Sequence, residues 1–254
     1  MYMNEINQDE YFFIQELQLK PPAELASIAH DEILSDVTSF SVLESIFSII
    51  TVDSSNFNGL THLHSAIMKG KSDVVRFLLN KGINPFYTHE SDNPNKIPPP
   101  IITAVSTGNI EIIELLLEHK DSNIYLEENV APLCIAIKNN DIEVFKRLID
   151  YTKNINATCE NGQSPLFYAS TVRDPEFAIL LLERGANVHL TNYMKNTPLH
   201  VAIQHNNIKI VQILLDHDAN LYSKNMFGVN PIDSARHHKR ILNLFKERIN
   251  KKSI

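Results

Sequence analysis

The sequence predicts an all-α solenoid of helix-turn-helix units, and three observations carry that expectation. A six-residue motif recurs, clearest as Thr197-Pro198-Leu199-His200-Val201-Ala202, and its closing Ala falls at 66, 104, 136, 169, 202 and 235, with spacings of 38, 32, 33, 33 and 33 residues. Each of the first five anchors is followed by an apolar run with the i, i+3, i+4 spacing of one buried helix face. The 254 residues are 43% apolar and 21% charged, enough to build a core, while no stretch approaches the roughly 18 apolar residues of a membrane helix.

Taken in chain order, residues 1–52 are expected to form an N-terminal helical cap or degenerate repeat. Ala23 to Leu34 and Val42 to Ile50 have helical periodicity, and Ile46-Phe47-Ser48-Ile49-Ile50 is too apolar to stay in water. Tyr11, Phe12, Phe13, Ile14 and Leu17 suit one further amphipathic helix. The repeat domain, residues 53–250, then holds about six units. The first has Thr61-His62-Leu63-His64-Ser65-Ala66, a break at Gly70, and Val74-Val75-x-Phe77-Leu78-Leu79. The second opens on Pro98-Pro99-Pro100, either a rigid lead-in to its helices or a short polyproline segment for a partner, and its extra length places a projecting loop at 88–97. The third pairs Ala131-Pro132-Leu133-Cys134-Ile135-Ala136 with Val144-Phe145-x-x-Leu148-Ile149, and the fourth Ser164-Pro165-Leu166-Phe167-Tyr168-Ala169 with Phe177 to Leu182. The fifth has the clearest motif, followed by Ile210-Val211-x-Ile213-Leu214-Leu215; the sixth has Asn230 to Ala235 and a final amphipathic helix through Ile241, Leu242, Leu244, Phe245 and Ile249, a C-terminal cap.

The motif has a direct physical reading. Thr or Ser caps a helix, Pro at the first helical position loses no intrahelical bond, and a small Ala lets adjacent helices approach closely. A Gly stands two positions before the motif at 59, 162 and 228, but Lys195 occupies that slot in the fifth unit, where a distorted turn is expected. With Gly185-Ala186-Asn187 after a helix, the T-P-L-H-x-A core and the 33-residue period, the chain resembles the ankyrin-repeat family over roughly residues 53–250. The resemblance implies helix pairs joined by β-hairpin-like turns, and His64 and His200 as hydrogen-bonding struts between turns. It also implies a partner-binding concave surface of turn tips and first helices, which carries over here to Phe57, Leu60, Glu127, Glu128, Glu160, Tyr168, Tyr193, Met194, Asn196, Met226 and Phe227. Large apolar residues at such tips are suited to anchoring a partner. Asparaginyl hydroxylation, known in the family, points weakly to Asn156, which lacks an acid two places before it.

Charge and chemistry narrow the function. The net charge of −7 argues against a general nucleic-acid binder. It hides a gradient: residues 1–56 carry ten acids against Lys20, and residues 236–254 seven bases against Glu247. The basic end is either a solvated cap or a contact for an acidic partner, a nuclear-import patch or the acidic start of another copy. Cys134, in the His slot of its motif, is expected to be small and buried; Cys159 lies in a turn, exposed; the pair sits in no C-x-x-C and suits a reducing compartment. The His62-x-His64 and His237-His238 pairs lack a ligand scaffold, and no nucleophile elbow, zincin or phosphate-binding motif occurs. The expectation is a monomeric, cytoplasmic, non-enzymatic interaction module that uses no cofactor or metal and binds another protein but neither nucleic acid nor membrane. With similarity to stand-alone repeat proteins of intracellular bacteria and large DNA viruses, it suits a host-directed effector delivered into a host cell. The alternative is a regulatory inhibitor or small enzyme activity in the N-terminal segment, with the repeats as targeting scaffold.

Overall fold

Capping residues set where the helices of this protein begin. The computed structural model describes residues 8–50, 61–86, 98–119 and 130–251. Expectations for Phe57, Leu60, Glu127, Glu128 and the 88–97 loop therefore fall outside the described residues. Thr61, Ser164, Thr197 and Asn230 each accept a backbone N–H three residues on and start the first helix of a pair; Asn109, Asp141 and Asn207 do the same for second helices. The chain divides into two compact units, Met1–Ser122 and Asn123–Ile254.

The first unit contains α1 (Gln8–Leu17), α2 (Pro22–Leu34), α3 (Phe40–Phe47), α4 (His62–Met68), α5 (Ser72–Asn80), α6 (Pro100–Thr107) and α7 (Ile110–Leu117). First helices stack on first helices, α2 on α4 and α4 on α6, and α5 packs on α7. Pro100 is the first residue of α6, so the proline run leads into that helix. The helix expected near the N-terminus forms as α1 and packs against α3; Leu17 is buried while Tyr11, Phe12 and Phe13 face solvent. Ser39 and Ser41 at the start of α3 donate to the Glu10 carboxylate, and those bonds lower its pKa.

The second unit repeats the arrangement with α8 (Ala131–Lys138), α9 (Ile142–Ile149), α10 (Pro165–Ala169), α11 (Glu176–Glu183), α12 (Pro198–Gln204), α13 (Ile208–Asp216), α14 (Pro231–Ser234) and α15 (Lys239–Lys251). The series α8, α10, α12, α14 forms one layer and α9, α11, α13, α15 the other. Helices this short are marginal in isolation, so their stability comes from stacking. Val144, Phe145, Leu148 and Ile149 on α9, and Ile210, Val211, Leu214 and Leu215 on α13, are buried, each contributing roughly 1.5–3 kcal/mol. All six anchor alanines, Ala66, Ala104, Ala136, Ala169, Ala202 and Ala235, are fully buried, as close approach of first helices requires. Among the described residues there is no strand, and no helix is long and apolar enough to cross a membrane.

Candidate functional site

The turn tips of the second unit are built by main-chain bonds. Cys159, Asn192 and Asn225 stand 33 residues apart, and their N–H groups donate to the carbonyls of Gln163, Asn196 and Val229, at 2.8, 3.1 and 3.0 Å. Each closes a hairpin-like turn. The turns are then laced together: Tyr193 N–H donates to the Asn161 carbonyl and Met226 N–H to the Met194 carbonyl, both at 3.0 Å. Side chains finish the job. The Asn192 Oδ1 accepts from the N–H groups of Met194 and Asn196, and the Asn225 Oδ1 from those of Phe227 and Val229.

The position two before the motif has φ of 71° at Gly162, 57° at Lys195 and 74° at Gly228. The distortion expected at Lys195 does not occur. Its N–H donates to the Asn192 carbonyl at 2.9 Å, as that of Gly228 does to Asn225 at 3.0 Å, so the surrounding bonds hold Lys195 in a left-handed conformation that its Cβ disfavours.

On this fixed main chain four large apolar side chains project into solvent: Tyr193 is 76% exposed, Met194 45%, Met226 57% and Phe227 68%. The Tyr193 ring lies over Gly162, where an added Cβ would come within 2.8 Å of it. Tyr222, on the run leading into the last tip, is exposed as well and was not singled out by sequence. Two residues expected on the open surface are instead in the frame. Tyr168 is 7% exposed, with the Lys138 ammonium 4.6 Å from its ring centre. Asn196 is 9% exposed, and its side-chain carbonyl accepts from the Asn225 amide at 2.9 Å. Glu160 begins the turn Glu160–Gly162.

The motif histidines are struts. In His200, Nδ1 accepts from the Thr197 N–H at 3.2 Å, which leaves the proton on Nε2 to donate to the Val229 carbonyl at 3.1 Å. His64 repeats this with Thr61 at 3.2 Å and Pro98 at 2.8 Å. Burial pushes both imidazoles below their ordinary pKa, partly opposed by the carbonyl each donates to. His62 is engaged through Nε2 with the Ala26 carbonyl at 3.1 Å. Among the described residues no group of three or more His, Cys, Asp or Glu is arranged to hold a metal. The Asn156 side chain ties its turn to the next repeat, accepting from Asn187 N–H at 2.7 Å and donating to the Gly185 carbonyl at 3.3 Å.

Cys134 is buried, as its place in the motif predicts, but Cys159 is half-buried rather than exposed, and the two sulfurs lie 2.8 Å apart. The signal for this was present in the sequence: their separation of 25 positions equals the step from the His200 slot to the Asn225 slot.

Comparison with known proteins agrees with this architecture. The family model described as "Ankyrin repeats (3 copies)" matches residues 86–159, 101–192 and 133–225, and that described as "Ankyrin repeat" matches 58–90. An ankyrin repeat protein of Fowlpox virus (strain NVSL), FPV014, is 34% identical over 98 residues, covering 38% of this chain and 21% of that protein. Alpha-latrocrustotoxin-Lt1a of Latrodectus tredecimguttatus is 31% identical over 99 residues, 38% of this chain and 7% of the toxin. The chain thus spans about 21% of the length of the first of these relatives and 7% of the second. Among solved structures, the ankyrin repeat domain of Bcl-3, described as a unique member of the IkappaB protein family, superimposes with a TM-score of 0.68 at 21% identity, covering 86% of this chain and 97% of that one.

Proposed function

This chain belongs to the ankyrin-repeat family, whose repeats are general protein–protein interaction modules, and from that premise we propose that it captures a partner protein through the turn tips of its second unit. The observation that carries the reading is the exposure of Tyr193, Met194, Met226 and Phe227 on a main chain held by its own hydrogen bonds. Solubility alone does not select four large apolar groups at such tips, and aromatic and Met side chains on a rigid support are characteristic interface anchors. Glu160, which begins the turn Glu160–Gly162, belongs to these tips in this reading. The ankyrin fold is generally a non-enzymatic scaffold, and the function proposed is binding without catalysis, by a monomer in the cytoplasm.

Residues 8–50 act as the N-terminal cap. The stacking of α2 on α4 supports this over a separate activity carried by the N-terminal segment, since a cap must cover the apolar face of the first repeat. Similarity to a fowlpox virus protein supports a host-directed role. The test is affinity capture from host-cell extract with the native protein and with a variant bearing Tyr193→Ser, Met194→Ser, Met226→Ser and Phe227→Ser. Species enriched by the native chain are expected to be lost from the variant while its melting temperature stays within about 3 °C, because the lacing bonds are main-chain. Equal enrichment by both proteins refutes the assignment.

A further inference from the structure

Both cysteines of this chain stand at frame positions that other repeats fill with different residues. Cys134 takes the slot of His64 and His200, and Cys159 the slot of Asn192 and Asn225. The Val229 carbonyl accepts from both the Asn225 N–H and the His200 side chain; the corresponding carbonyl of Gln163 accepts from the Cys159 N–H, and the Cys134 side chain meets the Cys159 sulfur. The strut between these two repeats is therefore a sulfur pair. Its 2.8 Å separation is inside non-bonded contact and about 0.8 Å beyond a disulfide bond of about 2.05 Å.

We propose that Cys134 and Cys159 are a reversible redox site, which a small-molecule disulfide of the glutathione type converts to an intramolecular disulfide between α8 and the turn that follows α9. The half-buried Cys159 reacts first. Its thiolate attacks one sulfur of the oxidant, the oxidant's S–S bond breaks, and one small thiol leaves. The Cys134 thiol then gives up its proton and attacks the Cys159 sulfur of the mixed disulfide, expelling the second small thiol. One oxidant disulfide is reduced to two thiols as two protein thiols are oxidised to one disulfide. Burial pushes the Cys134 thiol well above its ordinary pKa, which leaves the first attack to Cys159. The bond would pin the turn at Asn161 and Gly162, against which Tyr193 stands, although the inference holds whether or not that tip binds a partner.

The test treats the folded, full-length protein with glutathione disulfide and maps it under non-reducing conditions. The expected product has lost two hydrogens, carries no glutathione, and links the peptides holding Cys134 and Cys159. Its melting temperature rises by about 5–10 °C and falls back on adding dithiothreitol. The linked yield at equal oxidant drops roughly tenfold or more in denaturant, where the fold no longer holds the thiols together. A Cys134→Ser variant is expected to retain one glutathione on Cys159. A native protein that keeps glutathione on Cys159 without forming the link, or that leaves both thiols unmodified under conditions that oxidise an unfolded control, overturns the proposal. The native mapping decides the matter even if the variant fails to fold.

Discussion

Replacing His200 with Ala tests whether the repeats are held together by struts at their turns. The imidazole is buried and serves two main-chain groups, the Thr197 N–H at 3.2 Å and the Val229 carbonyl at 3.1 Å. Truncation leaves the buried Thr197 N–H without its partner, while the Val229 carbonyl loses one of two donors and keeps the Asn225 N–H at 3.0 Å. One buried group left unsatisfied costs about 1–3 kcal/mol, and that is the expected loss. Urea unfolding followed by circular dichroism measures it, and the pH dependence gives a second readout. The folded pKa of His200 lies below that of the unfolded chain, near about 6.5, so between those values the unfolded state binds the extra proton. The stability the imidazole contributes is thus present above pH 6.5 and is lost as pH falls through that window to the folded pKa. His64 adds a contribution of the same sign. The native protein should weaken from pH 7 to 5, and His200→Ala should weaken less steeply. A loss under about 0.5 kcal/mol together with an unchanged pH slope would refute the strut argument.

Two further substitutions probe the frame. Phe145→Ala removes a fully buried ring that meets Phe177 edge-on at 5.0 Å, and should cost about 3–5 kcal/mol in urea unfolding; a cost below about 1 kcal/mol would mean that α9 and α11 are not packed as described. Lys195→Gly relieves a left-handed conformation worth about 1–2 kcal/mol and reclaims part of that as unfolded-chain entropy, for a net gain of about 0.5–1 kcal/mol in a thermal melt. A drop in melting temperature would show that the Lys195 side chain contributes to the turn.

The helices were legible because their signals are local. Thr197, Pro198 and Ala202 specify a capped start and a close-packed anchor within six residues, and the run at 210–215 specifies a buried face within one. The tips were legible only in part. The family resemblance put Tyr168 and Asn196 on the surface with Tyr193 and Met194, but burial depends on what the neighbouring repeat presents: Lys138 covers the Tyr168 ring, and the Asn225 amide reaches Asn196. The turn at Lys195 defied its local propensity because bonds from Asn192 on both sides fix it. The sulfur pair escaped notice because Cys134 and Cys159 match no linear cysteine motif. Their proximity follows only once the two slots are superimposed on the repeat.

Amide hydrogen exchange of the protein alone and bound to a captured partner tests the central claim most directly. Slowed exchange concentrated at residues 192–196 and 225–229, with the α11 and α13 amides unchanged, is what binding at the laced tips predicts. Protection confined to α11 and α13, with the tips exchanging as in the unbound protein, would contradict it.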